Sequence, residues 1–202
     1  MKTVTLLKTG LANLASVQAA FDRLGARTEL AETADDVSRA ERLVVPGVGA
    51  FEAAMSVLKE ADLASALRDR VDKGRPTLGI CLGLQLLGLA SEESPGVTGL
   101  GCVPEEVRGF SPEVISPQMG WNRVVPATDS KLLEAGYAYF ANSYRFETIP
   151  ERWTGATSEY GGTLVAALER GAVLGCQFHP ELSGAYGERL MSRWLSLEVT
   201  PC

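Results

Sequence analysis

Three side chains carry the chemistry this sequence could perform: Cys81, His179 and Glu181. Cys81 lies in G-I-C-L-G, between the strand-like run P-T-L-G-I and the apolar run L-G-L-Q-L-L-G-L-A. The motif is the thiol counterpart of the G-x-S-x-G turn that presents a nucleophilic serine. A nucleophile on a tight strand-to-helix turn adopts a strained backbone. Gly79 and Gly83 would keep Cβ atoms out of the crowded positions on either side. The following helix would point N–H groups back at the sulfur, favouring thiolate over thiol. A packed core cysteine beside two helix-packing glycines is the other reading of this motif taken alone.

His179 is the single histidine of the chain, so an imidazole base for Cys81 can only be this one. It follows the strand-like run A-V-L-G-C-Q-F and precedes Pro180 and Glu181. Proline disfavours helical geometry in the residue before it, so His179 should be extended. Residues i and i+2 of an extended chain point the same way. His179 and Glu181 should therefore project together, the carboxylate fixing the imidazole tautomer and stabilising its cation. A surface or satisfied core histidine is the plainer alternative, but two distant motifs converging on one chemistry favour a Cys–His–Glu triad.

Two further features belong with it. Gln85, one helical turn beyond Cys81 on the same face, is the one polar side chain in an apolar helix start. Left buried and unpaired it would cost roughly 1–3 kcal/mol, so it should face a substrate or a partner. L-V-V-P-G-V-G-A-F, Leu43 to Phe51, ends a strand in Pro-Gly-Val-Gly. Glycines let backbone N–H groups approach a substrate as an oxyanion hole requires; a plain turn is the alternative.

These groups need a scaffold. Val4 to Leu7, Arg27 to Leu30, R-L-V-V-P-G and P-T-L-G-I read as strands. Between them, Leu14, Val17, Phe21 and Leu24 recur at helical spacing up to Gly25. Phe51, Met55, Leu58, Leu63, Leu67 and Val71 mark a long helical region bent near Asp62, and L-G-L-Q-L-L-G-L-A reads as a buried helix. Strands alternating with helices imply an α/β fold, flavodoxin-like and doubly wound, around a mostly parallel sheet. The second half carries shorter runs, G-C-V-P-E-E-V-R-G-F, W-N-R-V-V-P, Y-A-Y-F-A-N-S-Y-R-F, G-T-L-V-A-A-L-E-R and A-V-L-G-C-Q-F, which predict antiparallel additions. Tyr186, Leu190, Trp194 and Leu197 predict a closing helix. No repeat or linker interrupts the chain, so residues 1–202 read as one domain.

Composition narrows the rest. The 202 residues are 46% hydrophobic and 22% charged, with net charge −6. No basic run stands out, which argues against nucleic acid or an anionic membrane as partner. No stretch has the length of a membrane span, and the N-terminus is a poor signal peptide. Cys81, Cys102, Cys176 and Cys202 lack paired metal-site spacing, so neither a metal nor a disulfide framework is expected, and the expected compartment is the cytoplasm. Cys102 and Cys176 read as core residues and Cys202 as a free thiol in a disordered terminus. Trp121 reads as a packed aromatic at a strand start. Glu52, Glu60, Asp62, Asp69 and Asp72 read as solvated helix faces.

P-G-V-G-A-F, G-I-C-L-G-L-Q-L-L and Q-F-H-P-E-L-S-G, in this order, resemble the triad-type glutamine amidotransferases. A-N-L-A-S-V-Q-A-A-F, P-Q-M-G-W-N and Y-F-A-N-S-Y-R-F narrow the resemblance to the glutaminase subunits of imidazole glycerol phosphate synthase, over about residues 4–195. The resemblance implies that Cys81 attacks the side-chain carboxamide of glutamine, that His179 transfers protons and that Glu181 orients it. It implies an oxyanion hole from the backbone at Val48 and Leu82, and substrate contacts from Gly47, Gly49, Gln85, Ser143 and Tyr144. No cofactor is implied. The implied partner is a cyclase subunit with a β/α barrel fold, near which relatives place the residue matching Trp121. The chain departs from the pattern at Lys8, Thr9 and Ala12, where the family start is Asp-Tyr-Gly-x-Gly-Asn. It departs again at Gln118 and Asn142, where histidine is common, and at Leu182, where Lys or Arg is usual. None of these is a triad position, so altered partner contacts are the expected consequence. A non-catalytic relative and a glutaminase serving another synthase are the competing readings.

Overall fold

The computed structural model describes residues 1–10 and 12–198. Its centre is a nine-stranded sheet. Strands β1 (Thr3–Leu7), β2 (Arg27–Ala31), β3 (Leu43–Gly47) and β4 (Thr77–Cys81) alternate with helices α1 (Leu14–Arg23), α2 (Ala34–Arg39), α3 (Phe51–Glu60) and α4 (Leu63–Asp72). A single helical turn, α5 (Leu82–Gln85), follows β4. The second half adds β5 (Arg108–Gly109), β6 (Gln118–Pro126), β7 (Gly136–Asn142), β8 (Tyr144–Arg145), β9 (Thr154–Glu159), β10 (Thr163–Arg170) and β11 (Val173–Cys176), then α6 (Gly184–Ser196).

The order across the sheet is β2-β1-β3-β4-β11-β10-β9-β6-β7. The first five strands pair in parallel, in the flavodoxin-like order. From β11 outward the pairing is antiparallel. β5 and β8 form a separate two-stranded ribbon.

Period-two alternation divides the apolar side chains between two layers. Val4, Leu6, Val44, Leu78 and Ile80 join α1 and α6 through Val17, Phe21, Leu190 and Trp194. Leu7, Leu43 and Val45 face the opposite way, toward Phe51, Met55, Leu58 and Leu67 of α3 and α4. Every residue of β3, β4 and β11 is buried, as strands covered on both faces must be. The acidic residues Glu52, Glu60, Asp62, Asp69 and Asp72 are all exposed.

Several expectations are corrected. The helical region after Phe51 is two helices rather than one bent helix, because Asp62 adopts a left-handed conformation with φ 55°. The run after Cys81 stays helical for only one turn. Gly88 then carries the chain against Phe146, whose ring would lie 2.9 Å from any Cβ there. In G-C-V-P-E-E-V-R-G-F only Arg108 and Gly109 form a strand. β9 was not anticipated: T-G-A-T-S-E lacks apolar alternation and is a strand because β10 and β6 flank it. α2 was also missed, although Thr33 and Asp36 form a reciprocal capping box at its start. Trp121 is 57% exposed, since its parity on β6 turns it outward. Cys102 and Cys176 are buried as expected, while Cys202 lies outside the described residues.

Candidate functional site

The site forms where β3, β4 and β11 end side by side. Cys81 is the last residue of β4 and caps α5, with φ 54° and ψ −109°. A side-chain-bearing residue at such angles is strained, and the tight packing around it holds the strain. A Cβ on Gly79 would meet the backbone of Gly83 at 2.9 Å, and one on Gly83 would sit 1.8 Å from the carbonyl oxygen of Val45. Glycine is therefore a steric requirement at both positions. Gly47, paired in register with Cys81, is under the same pressure: its Cβ would lie 3.0 Å from the Leu82 side chain.

β11 brings the histidine alongside. His179 is extended, with φ −96° and ψ 96°, and Pro180 starts a single 3-10 turn over Pro180–Leu182. His179 Nδ1 lies 2.8 Å from Glu181 Oε1. The imidazole also interacts with Cys81; with Nδ1 engaged by Glu181, Nε2 is the nitrogen left for the sulfur. Both side chains of the histidine–glutamate pair are nine-tenths buried. Burial depresses the pKa of His179, but the interactions with Cys81 and Glu181 together outweigh it and raise it to about 10. The loop is stitched to β7. The N–H of His179 donates to Tyr139 O at 2.9 Å, and Ser183 Oγ donates to His179 O at 2.6 Å while accepting from Tyr139 N at 3.0 Å.

A cleft of about 180 Å³ opens over the sulfur, lined by Val48, Gly49, Cys81, Leu82, Gln85, Glu93, Pro117 and the 141–144 segment. Of the residues singled out from sequence, Val48, Gly49, Leu82, Gln85, Ser143 and Tyr144 share this cleft with Cys81. Gly47 does not line it. It borders a second hollow of about 210 Å³ with His179, Glu181, Asn13 and Leu182. Val48 and Ala141 border both spaces.

Sequence reasoning missed two residues. Glu93 lines the cleft and also accepts from the N–H of Phe51 at 2.7 Å, tying the 91–94 turn to the start of α3. Gln177, fully buried, stands between Gln85 and Cys81. It lies two residues before His179, just past the end of β11. Gln118 and Asn142, both departures from the family pattern, are register partners on the inner face of β6 and β7. Both amide atoms of Gln118, and Oδ1 of Asn142, lack hydrogen-bond partners among the described residues.

Comparison with known proteins gives the family. Residues 7–195 match the family described as glutamine amidotransferase class-I. A Zymomonas mobilis protein named imidazole glycerol phosphate synthase subunit HisH is 46% identical over 202 residues, spanning 96% of this chain and 95% of its own. The Escherichia coli K12 protein of the same name is 40% identical over 199 residues, spanning 96% and 99%. An Arabidopsis thaliana protein named imidazole glycerol phosphate synthase hisHF, chloroplastic, is 41% identical across 95% of this chain, which matches 34% of that longer protein. Among solved structures, one described as glutamine amidotransferase superposes with TM-score 0.76 at 21% identity, covering 95% of this chain and 96% of that one. PurLQS from Thermotoga maritima superposes with TM-score 0.75 at 16% identity, covering 96% and 97%; at such identities the likeness is one of fold. The chain belongs to the class-I glutamine amidotransferases, in the group of the HisH subunits of imidazole glycerol phosphate synthase.

Proposed function

We propose that this protein hydrolyses glutamine to glutamate and ammonia, and that it is the glutaminase subunit of a two-part imidazole glycerol phosphate synthase. The observation that carries the reading is the buried His179–Glu181 pair, 2.8 Å apart and interacting with Cys81, whose sulfur faces a cleft of small-substrate size. In the proposed reaction Cys81 Sγ adds to the side-chain carboxamide carbon of glutamine, and the oxyanion is held by backbone N–H groups at Val48 and Leu82. His179 then gives its proton to the departing ammonia as the C–N bond breaks, leaving a glutamyl thioester. A water attacks the thioester carbonyl, losing a proton to His179. Glutamate leaves and the sulfur is restored. Glu181 holds the imidazole by Nδ1 throughout. Gln85, Gly49, Ser143 and Tyr144 surround the glutamine backbone atoms, and Glu93, the one carboxylate on the cleft wall, suits its α-ammonium group.

The relatives' names describe a subunit. The proposed partner is a cyclase with a β/α barrel fold that takes the ammonia and makes imidazole glycerol phosphate and aminoimidazole carboxamide ribonucleotide in histidine biosynthesis. The proposed compartment is the cytoplasm; no helix among the described residues is long and apolar enough to cross a membrane. The deciding experiment is glutamate release from glutamine, with and without the cyclase and its nucleotide ligand. Strong stimulation by the liganded partner is the expected result. Activity indifferent to the partner would indicate a glutaminase serving another synthase. A folded but inactive protein in both conditions would indicate a non-catalytic binding subunit.

A further inference from the structure

Gln177 is completely buried, and its backbone N–H is fixed by a 2.8 Å hydrogen bond to Ala166 O. Its carboxamide is engaged at both ends. Oε1 accepts from Gln85 Nε2 at 3.0 Å, and Nε2 donates toward Cys81 Sγ at 3.7 Å. Gln85 Nε2 also donates to the Tyr144 carbonyl at 2.9 Å, and Asn142 Nδ2 donates to that same carbonyl at 3.1 Å. The orientation of each amide follows from the last. A carbonyl only accepts, so Gln85 must turn its NH2 to Tyr144. The second hydrogen of that NH2 needs an acceptor, so Gln177 must offer Oε1, which leaves its own NH2 for the sulfur. A reversed Gln177 would set two NH2 groups against each other. A chain of amides thus runs from the cleft wall, through the side chain proposed to hold glutamine, to the nucleophile.

We propose that Gln177 is a positioning residue for Cys81: its carboxamide locks the sulfur and Gln85 into one geometry, so that the nucleophile and the substrate-holding side chain are set together. An N–H directed at sulfur favours the anion over the thiol, while the contact to Gln85 keeps that side chain turned to the cleft. The kinetic consequence rests on the glutaminase reading; the reactivity of the sulfur does not.

Two variants test it. Gln177→Met keeps the volume and removes both amide functions. Gln177→Glu reproduces them only when protonated, its carbonyl accepting from Gln85 and its O–H donating to sulfur; the carboxylate has no donor. Iodoacetamide alkylation of Cys81, resolved from the other cysteines by peptide mass spectrometry, is followed against pH, together with kcat and KM for glutamine in the partner complex. For Gln177→Met the alkylation midpoint should move up by about one pH unit. Its kcat should fall roughly tenfold to a hundredfold, with a higher KM. For Gln177→Glu, the rate relative to the native protein should be near one at acid pH and fall steadily as pH rises. His179, Glu181 and Cys176 are common to all three proteins, so the ratio isolates position 177. An unchanged Cys81 alkylation profile in both variants overturns the proposal, as does an equal loss at every pH in both. If Gln177→Met does not fold, Gln177→Glu decides alone. Altered alkylation in a protein without glutaminase activity would uphold the positioning role and reject the glutaminase reading.

Discussion

At the scale of single residues, the site divides labour by chemistry. The sulfur of Cys81 is the proposed nucleophile, and no neighbouring group can replace it. Cys81→Ser should reduce ammonia release to background, about 10³-fold or more, while folding stays near native. Persistent glutaminase activity in that variant would sink the mechanism. Glu181 acts through His179, so Glu181→Gln should retain at least about tenfold more activity than Cys81→Ser; equal losses would mean the carboxylate does more than orient. His179 also predicts a pH dependence of stability. Its pKa is raised from 6.5 to about 10 because the bonds and charges of Cys81 and Glu181 outweigh burial. A raised value means that the fold holds a proton the unfolded chain releases. That stabilisation is complete below about pH 6.5 and is lost as pH rises through about 10. In chemical denaturation, the margin of the native protein over His179→Asn should shrink across that window. A margin independent of pH would show that the buried imidazole is not protonated.

At the scale of elements, the strand-to-helix turn works because three strands and one helical turn exclude everything but glycine. Gly83 lies so close to β3 that a methyl group there would overlap the Val45 carbonyl at 1.8 Å. Gly83→Ala should therefore displace α5 from β3, lowering stability by about 1–3 kcal/mol or more and slowing Cys81 alkylation. Thermal melts and alkylation rates measured together provide the check. Unchanged reactivity with lowered stability would mean that the turn geometry does not depend on the contact with β3. The histidine loop is held differently, by backbone bonds to β7 through Tyr139 and Ser183. His179 is thus held between β11, the neighbour of β4, and the outer antiparallel β7.

At the scale of the whole molecule, the outer antiparallel strands present apolar surface to solvent. Met119, Trp121 and Tyr137 are 65%, 57% and 60% exposed, and Trp121 meets the ring of Tyr139 edge-on at 6.2 Å. Tyr139 is the residue whose carbonyl holds His179, so this surface lies one strand from the triad. An exposed tryptophan contributes little to folding and much to association when a partner covers it. Trp121→Ala should change stability by no more than about 0.5 kcal/mol and weaken binding of the proposed cyclase partner by about tenfold or more. Calorimetry of the two purified proteins measures this, and unchanged affinity would move the docking surface elsewhere. The departures at Lys8, Gln118, Asn142 and Leu182 do not fall on Cys81, His179 or Glu181. Lys8 pairs with Glu32 at 2.8 Å on the surface, and Leu182 is exposed beside the histidine loop.

The strained turn at Cys81 and the residues of the proposed triad were legible in the sequence because their signals are local. The steric demand of a left-handed turn selects Gly79 and Gly83 around Cys81, and the proline rule keeps His179 extended, while Glu181 reaches it from the 3-10 turn rather than by strand parity. The parallel half was legible for a similar reason, since strands buried on both faces must be written as apolar runs such as those of β3 and β4. Other features depended on contacts between residues far apart in the chain. T-G-A-T-S-E becomes β9 only between β10 and β6, L-L-G-L-A leaves the helix and passes close against the Phe146 ring at Gly88, and Trp121 turns outward by its register with β7. The placing of Glu93 on the cleft wall and of Gln177 at the sulfur was likewise decided by tertiary structure, because a partner far away in the chain leaves no mark on a residue's sequence neighbours.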